Sequence, residues 1–175
     1  MVRILAQGGV VAAIAFAVGV PGCGYRFRTD VPAVSVRRVA VSPFANDTFE
    51  VGIERPFSEA LREVVLRSAA LRLAPRREAE AVLRGRVLAF GASPIAYPGS
   101  ATGVRVGAYR ASASVEVELV RADGHVLWRR GPLARDAEYL TGATAMATDA
   151  NKNRAIRQIA WELMGDFRAA FLRGR

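Results

Sequence analysis

The sequence predicts an α+β fold: a two-layer domain of about four mainly antiparallel or mixed strands with two helices packed on one face. Three observations carry this. Strand-like alternation is grouped mid-chain. A helix-spaced apolar stripe precedes that group and another follows it. The order strand, helix, three strands, helix then places both helices on one side of a single sheet.

The elements follow in chain order. Residues 36–44 alternate around Val39, Ala40 and Val41 and read as a strand, and Asn46-Asp47-Thr48 reads as a turn. Pro56 suits a first helical turn, and Phe57, Ala60, Leu61, Val64 and Val65 recur at helical spacing, so a helix is expected to about Ala70. Residues 81–90 form the second strand. The stretch 91–103, with Pro94 and Pro98, is expected to be a loop.

Residues 104–121 give the cleanest pattern. Tyr109, Ala111, Ala113, Val115, Val117 and Leu119 fall on one face, with Arg110, Ser112, Ser114, Glu116 and Glu118 on the other. Strict period two means one packed and one wet face. Asp123-Gly124 is a hairpin signal. The return strand starts at 126–129 and is expected to resume near Ala137 to Tyr139. The last helix is expected from about Asp149 to Leu172, with Thr148 or Asp149 as its cap and Ile156, Ile159, Leu163, Phe167 and Phe171 in its stripe.

The first 22 residues differ from the rest. Met1-Val2-Arg3, an apolar run to Val20, and Pro21-Gly22 have the form of a signal peptide. The run holds Gln7, Gly8, Gly9 and Gly19, which makes it a marginal membrane span. Val20-Pro21-Gly22-Cys23 resembles the bacterial lipobox, although Pro21 is an unusual residue for it. That resemblance implies cleavage before Cys23 and acylation of it, and Gly24, which is not aspartate, fits outer-membrane sorting. Several acyl chains give a stable anchor. The expected division is a leader at 1–22, a lipidated tether at 23–35 and one domain at 36–175.

Chemistry of the enzymatic kind finds no residues to carry it. Of 175 residues one is histidine and one is cysteine. His125 follows the hairpin turn and reads as a surface residue. A zinc site needs three or four close ligands, which this composition does not offer. Residues 99–103 lack the Gly-Lys-Ser/Thr ending of a phosphate loop. Glu116 and Glu118 read as solvated neighbours on the wet face, and Trp128 as packing. The expectation is a protein that is not an enzyme and takes no cofactor or metal.

Charge is the remaining signal. Basic side chains number 25 against 16 acidic ones, for a net +9, and all but Lys152 of the basic set are arginine. A positive field of this size favours anionic partners. Nucleic acid is not expected, because the chain reads as exported and shows no base-stacking motif. Arg105 and Arg110 lie at or just beyond the exit of the 91–103 loop. Lys152 and Arg154 lie near the expected start of the last helix, where free amide N–H groups attract anions.

Several segments together resemble the LptE family, the lipopolysaccharide-assembly lipoproteins of the outer membrane. These are Cys23-Gly24-Tyr25-Arg26-Phe27, the run Val39 to Thr48, Val51-Gly52-Ile53-Glu54, the run Ala79 to Gly85, and Asp123 to Trp128. The resemblance spans residues 23 to about 172. It implies a binding and scaffold protein, lipid-anchored in the outer membrane and facing the periplasm. Such a protein partners an LptD-type β-barrel and binds lipopolysaccharide. Arg105, Arg110, Lys152 and Arg154 then become candidate contacts for lipid A phosphates, which arginine can grip bidentately. The Val39 to Thr48 pattern also occurs in other envelope lipoproteins. The alternative role is therefore an LpoB-like regulator of a peptidoglycan synthase, or another envelope-assembly lipoprotein.

Overall fold

The computed structural model describes residues 35–97 and 105–173; the leader, Cys23, the tether up to residue 34 and the end of the 91–103 stretch lie outside them. The elements are β1 (Arg38–Val41), β2 (Ala45–Asn46), α1 (Glu54–Leu66), β3 (Arg72–Leu73), β4 (Ala81–Tyr97), β5 (Arg105–Arg121), β6 (Val126–Leu140) and α2 (Ala145–Arg173). The fold is α+β with an open, mixed sheet in the order β3-β1-β4-β5-β6, and β2 pairs with β4 further along the β1 side. β1 runs parallel to both β3 and β4, and β4, β5 and β6 form an antiparallel meander.

The alternation of β5 sets the two layers. Ala111, Ala113, Val115, Val117 and Leu119 are buried under the helices, and Arg110, Ser112, Ser114, Glu116 and Glu118 line the open face. From α1 come Phe57, Leu61 and Val65; from α2 come Ile159, Leu163, Phe167 and Phe171, each almost fully buried. Burying a side chain of this kind contributes about 1.5–3 kcal/mol relative to exposure. Trp128 of β6 packs edge-on against Phe167 and Phe171, with ring centroids 5.3 and 5.5 Å away. Phe44 lies against Phe57 (5.8 Å) and over Gly85, where a Cβ would meet the Phe44 ring at 2.1 Å. Glycine at 85 is therefore the space that lets the β1–α1 connection pack on the sheet.

Four expectations are corrected. Residues 91–97 are strand: β4 pairs with β5 as far as Tyr97 opposite Arg105. The two prolines read as breakers, but β2 leaves β4 at Val87, so β4 is an edge strand where Pro94 sits. An edge position tolerates proline. Helix α1 stops at Leu66 rather than near Ala70, because Ser68 Oγ accepts from the amides of Ala70 and Leu71 at 3.2 and 3.3 Å and turns the chain toward β3. Helix α2 starts four residues before Asp149. The cap is Thr144, whose Oγ1 accepts from the Ala147 amide at 3.1 Å. Finally, β6 is continuous through residues 130–136, with a register shift opposite Glu116. The short β2 and β3 raise the strand count to six; the fold class is unchanged.

Candidate binding surfaces

The open face of the sheet carries a charged lattice. Arg110 Nη2 donates to Glu138 Oε1 at 2.8 Å, and its Nε lies 3.7 Å from Asp136 Oδ2. The Glu138 carboxylate, aided by Asp136, raises the Arg110 pKa. Arg129 pairs with Glu118, and Arg86 pairs with Asp47 at 3.1 Å. Cross-strand register explains two of these contacts: Glu138 stands opposite Arg110, and Arg129 opposite Glu118.

Lys152 lies in the other layer. Its Nζ is 2.8 Å from Glu50 Oε1 and 4.0 Å from Asp149 Oδ1, with both Lys152 and Glu50 about three-quarters buried. The hydrogen bond to Glu50 raises the Lys152 pKa against the opposing effect of burial. Burial also raises the Tyr139 phenol, while Lys152 pulls it down. Because α2 begins at Ala145, Lys152 sits in its second turn, past the free amides of the first. Arg154 is further along, exposed, and donates to Asn151 Oδ1 at 3.0 Å. Arg105 opens β5, and its side chain lies outside the described residues. Of the expected cations, Arg110 is therefore on the open face and Lys152 in the helical layer.

A feature that sequence reasoning missed is the tip between β2 and α1. Asn46 Oδ1 accepts from the Thr48 amide at 2.9 Å, and Asn46 Nδ2 donates to the Glu50 carbonyl at 2.9 Å. Gly52 takes φ +83°. With the Arg86–Asp47 and Lys152–Glu50 pairs, these bonds brace the loop, which nonetheless presents Phe49 and Val51 almost wholly to solvent. Behind it lies a cavity of about 600 Å³ between the loop, β4 around Phe90, Tyr139 and Lys152. Two large apolar residues inside a polar turn were the available signal.

Among the described residues no group of three or more His, Cys, Asp or Glu side chains could hold a metal, and no helix is long and apolar enough to cross a membrane.

The lipopolysaccharide-assembly family model, LptE, matches residues 36–169. The chain belongs to the LptE family. The match covers both helices almost entirely and every strand of the sheet. No curated protein matches the chain significantly. Solved structures share the fold at low identity. A putative lipoprotein from Caulobacter crescentus is 17% identical, with TM-score 0.51 over 75% of this chain and 89% of that one. A minor lipoprotein from Acinetobacter baumannii is 11% identical, with TM-score 0.52 over 81% and 97%. A protein from Xanthomonas campestris is 14% identical, with TM-score 0.51 over 82% and 87%.

Proposed function

We propose that this LptE-family chain is an outer-membrane lipoprotein, cut before Cys23 and acylated on it, that faces the periplasm. Its domain at 36–175 partners an LptD-type β-barrel and binds lipopolysaccharide during assembly at the outer membrane. The family match over residues 36–169 carries this reading. The work is binding and scaffolding rather than catalysis. Cleavage removes Arg3, the one charged residue of the leader, so 24 basic side chains face 16 acidic ones, and a net +8 suits a ligand that bears phosphates. Phe49 and Val51, held out on a braced loop, suit contact with a protein wall, since aromatic anchors on rigid supports dominate interfaces. Among the four cations proposed for phosphate contact, Arg154 has no acidic partner among the described residues, whereas Arg110 and Lys152 would exchange theirs for phosphate.

Depletion in the native bacterium tests the role. Surface lipopolysaccharide should fall and LptD should accumulate misassembled. Normal surface lipopolysaccharide after full depletion would overturn the proposal. Capture of the full chain from membranes should bring down LptD, whereas recovery of a penicillin-binding protein instead would point to the regulator role.

A further inference from the structure

The carboxyl ends of β1 and β3 lie side by side in parallel. The chain leaving β1 returns through β2 and α1 as β3 beside it, while the chain leaving β3 passes β1 to enter β4 on its other side. A cleft of about 540 Å³ lies beyond the carboxyl ends of these two strands. Its walls are Ala40, Val41 and Pro43 on one side and Leu73 and Pro75 on the other, with Arg62 of α1 and Arg76 at its margins.

The charge of this cleft is uncompensated. No acidic side chain lines it. Arg62 and Arg76 are exposed and, among the described residues, have no hydrogen-bond or ion-pair partner. The acids nearest Arg76 in sequence are already engaged, Glu78 by Arg77 and Glu80 by Arg38, both at 3.2 Å. On the open face Arg86, Arg110 and Arg129 each hold a carboxylate, and Arg84 is without a partner among the described residues. Two free guanidinium groups over apolar walls call for a ligand whose polar atoms are acceptors and whose body is apolar.

We propose that this cleft between β1 and β3 binds the phosphate group of a lipid, gripped by Arg62 and Arg76, with the adjoining apolar part of the lipid against Val41, Leu73 and Pro75. The choice of lipopolysaccharide as the lipid rests on the proposed function; the cleft itself rests on its geometry and charge.

The test measures binding of the full chain to purified lipopolysaccharide, to the same lipopolysaccharide stripped of its lipid A phosphates, to phosphatidylglycerol vesicles and to inorganic phosphate. The variants are R62Q/R76Q and, as a charge-matched control, R157Q/R168Q on α2. Both pairs are exposed, so unchanged thermal melts should accompany both. The expected result is roughly tenfold weaker lipopolysaccharide binding for R62Q/R76Q, the scale of two lost charge-assisted contacts in partial solvent. The control should bind as the unaltered protein does. Removal of the lipid phosphates should weaken the unaltered protein similarly and abolish the difference between it and R62Q/R76Q. Equal binding by R62Q/R76Q and the unaltered protein overturns the site and leaves the proposed function standing. Failure of the unaltered protein to bind lipopolysaccharide overturns the proposed function instead. The vesicles then decide the site: a loss confined to R62Q/R76Q supports it, and no difference overturns it. Inorganic phosphate displacing lipid at the lipid's own concentration would show a site for the free ion and overturn the lipid assignment.

Discussion

Lys152 Nζ stands 2.8 Å from Glu50 Oε1 and so ties the second turn of α2 to the loop between β2 and α1, elements about a hundred residues apart in the chain. Both side chains are about one-quarter exposed, at 24% and 25%. The pair therefore lies between the surface case, worth about 0–1 kcal/mol, and the buried one, where an abandoned partner costs more. Lys152→Met should cost about 1–2 kcal/mol near neutral pH, because it also leaves Glu50 without its hydrogen bond. The Lys152 pKa is raised in the folded chain. The stabilisation is therefore complete below the ordinary lysine value of about 10.4 and is lost as pH rises through the higher folded value. Denaturant unfolding of both proteins at pH 7 and above pH 11 checks this. A stability gap that stays constant or widens with rising pH would contradict it.

Gly85→Ala should be among the most damaging single-methyl additions in the domain. The new Cβ would stand 2.1–2.3 Å from ring atoms of Phe44, a buried side chain that itself packs on Phe57. The ring has to move off the sheet, and overpacking of this kind costs about 1–3 kcal/mol. Chemical denaturation measures the loss. A pairing of Gly85→Ala with Phe44→Leu should cost less than the sum of the two changes, since the smaller side chain vacates the contested space. Strict additivity would refute the contact as the cause.

The layer assignment was legible because it depends on local period. β5 alternates from Arg110 to Leu119, where the buried Ala111, Ala113, Val115, Val117 and Leu119 are residues the sequence marks; Tyr109 is only partly buried, and Ala108 and Val120 are buried outside the pattern. The stripe of α2 was legible for the same reason, and Gly85 and the Asp123-Gly124 turn fell inside the segments that carry the family resemblance. What stayed hidden depends on partners distant in sequence. Pro94 breaks a strand only if an N–H is needed at its position, and that no strand among the described residues lies on that side of β4 is a fact of topology. The helix start at Ala145 was missed because Thr144 and Thr148 are both competent caps, four residues apart. That shift removes the helix-end argument for Lys152. The pairing of Arg110 with Glu138 follows from strand register, which the sequence does not print. Leu71-Arg72-Leu73 before Pro75 reads as a short extended piece, and β3 is Arg72–Leu73, but the cleft at Arg62 and Arg76 needs its pairing with β1, which is not local in sequence.

Phe167→Ala should destabilise the domain by about 3–5 kcal/mol, the range for removing a buried aromatic ring. Phe167 is 1% exposed and meets the edge of Trp128 on β6 while stacking on Phe171 at 5.8 Å. It thus joins α2 to the outer strand of the meander. Trp128 fluorescence, read in a Trp161→Phe background because the chain has two tryptophans, reports the event: its emission should shift to the red in the folded variant as water reaches the indole. An unchanged spectrum with an unchanged midpoint would show that the ring bears no weight there.

Phe49→Asp separates folding from partnership. Phe49 is fully exposed, and no hydrogen bond that braces its loop involves its side chain, since the bonds run through Asn46, Thr48, Glu50 and Gly52. Surface changes of this kind usually shift stability by within about 0.5 kcal/mol. The same substitution places a carboxylate where a partner surface would otherwise receive a ring. A charge buried without a counterpart is costly, so association should weaken by a factor of roughly ten or more. Val51→Asp, beside it on the tip, should act in the same direction, and Phe49→Leu, which keeps an apolar tip, should recover most of the association. Co-purification of LptD with each full-length variant measures the effect beside thermal melts of the isolated proteins. If Phe49→Asp melts normally and still recovers LptD in full, the tip is not part of the contact that the proposed function assigns to an LptD-type barrel.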